Sequence, residues 1–298
     1  MKIKIEPPND VIDHWLETYV PVREFLFLKE EDLSLIADSL SRTLIIPKEE
    51  FFNHASYKQI QLVNSFEYWN LSSEVQYVVI SNSEWFTNLP MNVQKQINHI
   101  QFELNRGLIL PLTPFCSNYS FPEEYLVQGP EEQYIVLHRE IWRTLPYEIK
   151  ENLLIEYASK WDDWTCVELP ESAPPHLRGY SNTFPLLSGG NCLSATLFAV
   201  NQQEWIIHEW VHPETFLEGI RRANYSIINT EELHHGDVVV WVNEGGTVQH
   251  ASYHISHNVF FNKNGQTFFN PWRIMNWDEL RQEWETYKFE LYRKEETV

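Results

Sequence analysis

Leu186-Leu187-Ser188-Gly189-Gly190-Asn191-Cys192-Leu193-Ser194-Ala195-Thr196-Leu197-Phe198-Ala199-Val200 is the stretch whose reading decides the fold. Two glycines permit a sharp turn, Asn191 has the short acceptor side chain of an N-cap, and Leu193 to Val200 is apolar enough for a buried helix. Cys192 then falls in the first helical turn. Free N–H groups and the positive end of the helix dipole meet there, and both favour a thiolate. A thiol nucleophile also needs a base. The alternating run His250-Ala251-Ser252-Tyr253-His254-Ile255 offers one from a strand, with His250 first and His254, on the same face, as its rival. Free cysteines are also common core residues, so the assignment leans on the segments around this run.

Downstream of the cysteine the spacing predicts a helix at Pro213–Ala223, preceded by His212. Leu233-His234-His235-Gly236-Asp237 reads as a turn into the apolar strand Val238–Val242, and Gly245-Gly246 as the hairpin turn before the His250 strand. Val259–Phe261 and Thr267–Phe269 read as further strands or a hairpin, Trp277–Tyr287 as a helix and Phe289–Tyr292 as a closing strand. A Cys-bearing helix followed by antiparallel strands is the order of a papain-like core.

These residues carry a resemblance to the NlpC/P60 family of papain-like cysteine hydrolases. The matching features are Gly190-Asn191-Cys192 before a small-residue helix, Leu233-x-x-Gly236-Asp237-Val-Val-Val-Trp241, and His250-Ala-Ser-Tyr-His-Ile-Ser256 followed by Val259-Phe-Phe-Asn262. The resemblance covers roughly residues 180–298. Where the family has Asp-Cys-Ser-Gly, this chain has Asn191-Cys192-Leu193-Ser194. The resemblance implies a thiol amidase or peptidase with Cys192 as nucleophile, His250 as general base and Asn262 as the residue orienting the imidazole. The chemistry needs the same parts: a base that takes the thiol proton and returns it to the leaving group, and a polar group that fixes the tautomer. The oxyanion would lie at the Cys192 N–H, with Asn191 and Leu193 as supports. No cofactor is implied, and the substrate would be a small-molecule or peptide amide. Asn262 is equally at home as a turn residue beside Lys263-Asn264-Gly265.

Two other readings use the same core: acyl transfer on the same Cys–His pair, and a non-catalytic binding protein on a vestigial papain-like core. A third uses different residues. His208-Glu209-Trp210-Val211-His212 satisfies H-E-x-x-H, with Glu209 as base and Glu231 or Glu232 as a further zinc ligand. Pro213 directly after the second histidine opposes the continuous helix that such a site needs, so no metal is expected.

Upstream, Glu74-Val-Gln76-Tyr77-Val-Val-Ile80, Trp85 and Leu89-Pro90 are echoed by Glu131-Glu-Gln133-Tyr134-Ile-Val-Leu137, Trp142 and Leu145-Pro146. Each copy reads as a buried strand, a Trp-bearing turn and a helix with proline at its first position, giving Pro90–Leu104 and Pro146–Lys160. Phe25–Leu28 and Leu44–Pro47 are a fainter echo inside a region, 1–70, that otherwise reads as helical over Val22–Leu44 and Tyr57–Tyr68. The proline-rich run Glu168–Ser188 reads as a linker into the second domain, its latter half packed against the catalytic cleft. The expected architecture is therefore α+β: an N-terminal α/β domain over residues 1–170, with its repeat at 74–112 and 131–171, and a catalytic domain over 171–298.

The composition bounds the function. With 298 residues, 43% hydrophobic and 14% aromatic, the chain has ample material for two cores. A formal charge of −20 argues against nucleic acid and anionic membrane surfaces as partners. Three widely spaced cysteines make no disulfide framework, and the first residues lack the apolar run of a signal peptide, so a cytoplasmic location is expected. Cys116 and Cys166 read as structural.

Overall fold

The computed structural model describes residues 2–112, 119–230 and 232–295. It mixes α-helices with sheets whose strand pairs are all antiparallel. The chain forms two compact units, Ile12–Lys160 and Met1–Val11 with Trp161–Val298. The division at 160/161 differs from the expected 170/171 because the N-terminal strand β1 (Lys2–Lys4) pairs with β2 (Thr165–Val167). A contact this distant in sequence leaves no local signal.

In the Ile12–Lys160 unit each copy of the repeat supplies the middle strand of a three-stranded sheet. Tyr77–Ser81 lies between Glu24–Leu28 and Leu44–Pro47, and Gln133–Val136 lies between Ile109–Pro111 and Leu126–Gln128. The faint echo is thus the pair of flanking strands of the first sheet. Of the helix expected at Val22–Leu44, Glu30–Leu35 forms but Glu24–Leu28 is strand, since Phe25, Leu26, Phe27 and Leu28 are fully buried and need a sheet's two-sided cover. Because the sheets are antiparallel, this unit is α+β rather than α/β. The helices after the two repeat strands run Met91–Glu103 and Tyr147–Ala158, and Pro90 and Pro146 occupy the N-cap rather than the first helical position. His138 is buried here between Glu24 (Nδ1 to Oε2, 3.1 Å) and Asn98 (Nε2 to Oδ1, 2.7 Å). Burial pushes the Glu24 carboxyl up, but His138, Arg106 and the Arg139 N–H outweigh it and hold the group below its ordinary value.

The other unit is built on a six-stranded sheet. Helices α1 (Cys192–Asn201) and α2 (Pro213–Arg222) precede strands β3 (Tyr225–Ile228), β4 (Val238–Val242), β5 (Val248–Ser256), β6 (Val259–Lys263) and β7 (Trp272–Asn276). Helix α3 (Trp277–Glu283) and strand β8 (Lys288–Lys294) close the chain. The strand order is β7-β6-β5-β4-β8-β3. Thr267–Phe269, expected as a strand, is a turn, and the strand falls instead at Trp272–Asn276. The proline-rich run packs through Asn182, which donates to the Val167 carbonyl (2.9 Å) and accepts from the Ile274 N–H (2.9 Å).

Strand alternation divides this sheet between two cores. Val238, Val240, Val242, Ala251, Tyr253, Ile255, Phe261 and Ile274 join α1 and α2 in the first. Val239, Trp241, Phe260 and Met275 join Leu280 of α3 in the second. Every residue of α1 from Cys192 to Ala199 is buried, which explains its apolar composition on all sides.

Candidate functional site

The helix start forms as expected. Asn191 is extended (φ −121°, ψ −175°), its Oδ1 accepts the Ser194 N–H (3.0 Å), and the Ser194 hydroxyl accepts the Asn191 N–H (2.9 Å), a reciprocal capping box. Asn191 Nδ2 also donates to the Val211 carbonyl at 2.8 Å, tying the segment after α1 back to its start. Gly190 is required by this packing, because a β-carbon there would collide with the Ile207 carbonyl oxygen. Gly190→Ala should therefore lower stability by about 1–3 kcal/mol in urea denaturation, the usual cost of overpacking. Gly179→Ala, with nothing within 4 Å of the new methyl, should be silent in the same assay.

Cys192 is the first residue of α1 and is 9% exposed. It stands in the first helical turn, where backbone N–H groups are free, and Ala251 of β5 shares its core. Burial nonetheless dominates and pushes the thiol up to about 11. This reverses the expectation of a thiolate at rest: the donors at a helix start do not repay the loss of water around an anion.

The structure separates Cys192 from His250. Ala251 belongs to the first core with Cys192, so His250, its neighbour on an alternating strand, points to the opposite face of the sheet. There its ring stacks on Trp284 (centroids 4.0 Å apart, planes at 11°) and lies 5.3 Å from Trp241. Its Nε2 is 2.7 Å from Asn262 Oδ1, and Nδ1 has no hydrogen-bond partner among the described residues. Burial pulls the imidazole down to about 3, so it is neutral. The other contacts of Asn262 are Ser252 (2.6 Å), Asn264 (2.8 Å) and Met275. The Cys192–His250–Asn262 arrangement expected from sequence is thus not assembled.

The rival base His254 shares that second face, and its two ring nitrogens are committed to the carbonyls of His234 (2.7 Å) and His257 (2.8 Å). Asp237 of the Gly236-Asp237 turn is structural: it accepts the His234 N–H (2.7 Å) and the Arg293 guanidinium (2.8 and 2.7 Å). Cys166 is buried on β2, with its sulfur 3.7 Å from the Ile3 carbonyl oxygen. Cys116 and Glu231 lie outside the described residues.

The H-E-x-x-H run is not a zinc helix. His208 ends a short 3-10 turn, Glu209 is extended, and His212 caps α2 with Pro213 at its first position. His208 packs on Tyr180 and Trp272, whereas His212 stacks on Trp210. Among the described residues no group of three or more His, Cys, Asp or Glu side chains is placed to hold a metal.

One titratable residue on the face of Cys192 belongs to no motif of the sequence. Lys263, the last residue of β6, is 1% exposed, and its Nζ donates to the carbonyls of Asn270 (2.7 Å) and Thr267 (3.0 Å). The strand pattern held the signal: a lysine two places after the inward Phe261 sits on the same face. No family model, curated protein or solved structure matches the chain.

Proposed function

We propose that the Met1–Val11 and Trp161–Val298 unit is a thiol amidase or peptidase of papain-like order, working through an acyl-enzyme on Cys192, with water or an amine as acceptor. The place of Cys192 at the capped start of α1, where the free N–H groups of the first helical turn gather, carries this reading. In a dry site such donors act on the anion as it forms, on the sulfur first and then on the carbonyl oxygen it attacks. The thiol rests neutral and is ionised only when its proton is taken, so it is a nucleophile made on demand.

The test uses an activated ester, p-nitrophenyl acetate, on the full chain. Intact mass followed by peptide mapping should find an acetyl group on the peptide bearing Cys192, released by hydroxylamine as a thioester is. Acetylation confined to lysines, with Cys192 unmodified, would remove the acyl-enzyme reading.

One observation favours the binding-protein alternative. A cavity of about 910 Å³ opens on the second face of the sheet, lined by Trp241, Trp284, Tyr287 and Phe289, with Arg281 and Glu285 among its polar residues. It lies beside His250 rather than Cys192, so ligand binding there would need no thiol.

A further inference from the structure

We infer that Lys263 is the catalytic base and acid that serves Cys192, taking the thiol proton and returning it to the leaving group. The inference rests on the thiol reading above, but three observations of its own support it.

The first is register. Tyr253 faces Phe261 and His254 faces Phe260 across β5 and β6. Alternation from the inward Phe261 puts Lys263 on the face that α1 covers, as alternation from the inward Tyr253 puts Ala251 there. The 2.6 Å bond between Ser252 and Asn262 agrees with it. Ala251 and Cys192 belong to one core, and the Gly189 N–H donates to the Gln266 carbonyl (2.9 Å), which binds the turn around the Lys263 amine to the residues just before Cys192.

The second is the amine's hydrogen bonding. A neutral –NH₂ has two hydrogens and one lone pair. The carbonyls of Thr267 and Asn270 take the two hydrogens, which leaves the lone pair for an acidic proton. Once protonated, the ammonium keeps both carbonyls and gains a third N–H.

The third is charge. The ionisable groups that act on Lys263 are Asp162 and Cys192, and Asp162 is itself bound by Arg273 at 2.9 Å. Burial outweighs both and pulls the amine down to about 7, close to the optimum for proton exchange in neutral solution.

The cycle balances. Lys263 accepts the thiol proton, the Cys192 sulfur adds to the substrate carbonyl, and the C–N bond breaks as the ammonium protonates the departing amine. That leaves a thioester and a neutral amine on Lys263. Water then enters, gives its proton to Lys263 as it adds, and the thiol leaves protonated.

Iodoacetamide labelling of Cys192 across pH tests this without a substrate. In the unsubstituted chain the labelling rate should climb through neutrality, as Lys263 becomes a free amine. In Lys263→Met that rise should vanish, cutting the rate near pH 8 by roughly a hundredfold and leaving only the ordinary alkaline ionisation. A Met variant with the unsubstituted profile would overturn the inference. Should the variant fail to fold, ¹³Cε-lysine NMR of the unsubstituted chain decides: one lysine must titrate near neutrality, and lysines that all titrate near 10.4 would refute it. A neutral-pH rise without acetylation of Cys192 would leave the proton relay standing and defeat the acyl-enzyme reading. Acetylation without the rise would do the reverse.

Discussion

Cys192→Ala should abolish thiol-dependent acyl turnover, by roughly a thousandfold or more, while His250→Phe should leave it intact. The contrast is the sharpest consequence of the sheet's two faces. In a Cys–His pair the second substitution would be as damaging as the first. Here phenylalanine preserves the ring that stacks on Trp284, and Ser252 still satisfies Asn262. It also removes a buried Nδ1 that has no partner among the described residues. Steady-state rates with an activated ester, paired with urea denaturation to verify folding, would measure both. A collapse of activity in a folded His250→Phe chain would contradict the assignment of faces.

Arg273→Met should cost about 3–5 kcal/mol of stability, the penalty for breaking a buried ion pair from one side. Arg273 is 2% exposed and contacts Asp162 (2.9 Å), Asp163 (3.1 Å), Glu283 (3.4 Å) and the Thr165 carbonyl (3.0 Å). Asp162 depends on it most, because its carboxylate is buried and Oδ2 has no hydrogen-bond partner among the described residues. Burial already raises the Asp162 pKa, with Arg273 pulling it back. Without the guanidinium it rises further, so the folded variant holds a proton that the unfolded chain releases. Stability then falls as pH rises through that window. The deficit should be largest at neutral pH and shrink toward acid, as measured by chemical denaturation at several pH values. Asp162→Asn in the same chain should recover much of the loss. An equal deficit at all pH values would mean that lost packing, not the stranded carboxylate, is responsible.

Much of this architecture is legible in the sequence, because it depends on local patterns. The Gly-Gly-Asn turn and apolar run give α1 and its cap, and alternation gives β4 and β5. The repeated Trp and Leu-Pro positions mark equivalent strands and helices in the other unit. What escapes reading is the relation between strands. Alternation sorts His250 from Ala251 but does not say which set faces the cysteine; that depends on where α1 docks and on the bulge between Trp241 and Val242 in the β4–β5 pairing. Lys263 escaped for a related reason. Beside Asn264-Gly265 it reads as a turn residue, and only the carbonyls of Thr267 and Asn270 reveal an amine turned inward. The strand at Lys2–Lys4 illustrates the same limit, since its partner stands at the far end of the intervening unit.

The sheet that parts the two cores also foretells how this unit would answer to systematic substitution. Along β5 and β6, tolerance should beat with a period of two. Ala251 and Lys263 would answer with the face that α1 covers and His250, Ser252 and Asn262 with the other, although the two sets are interleaved along the same strands. Averaging over a window of neighbours would blur two distinct responses into one unremarkable stretch, whereas scoring alternate positions separately would resolve them.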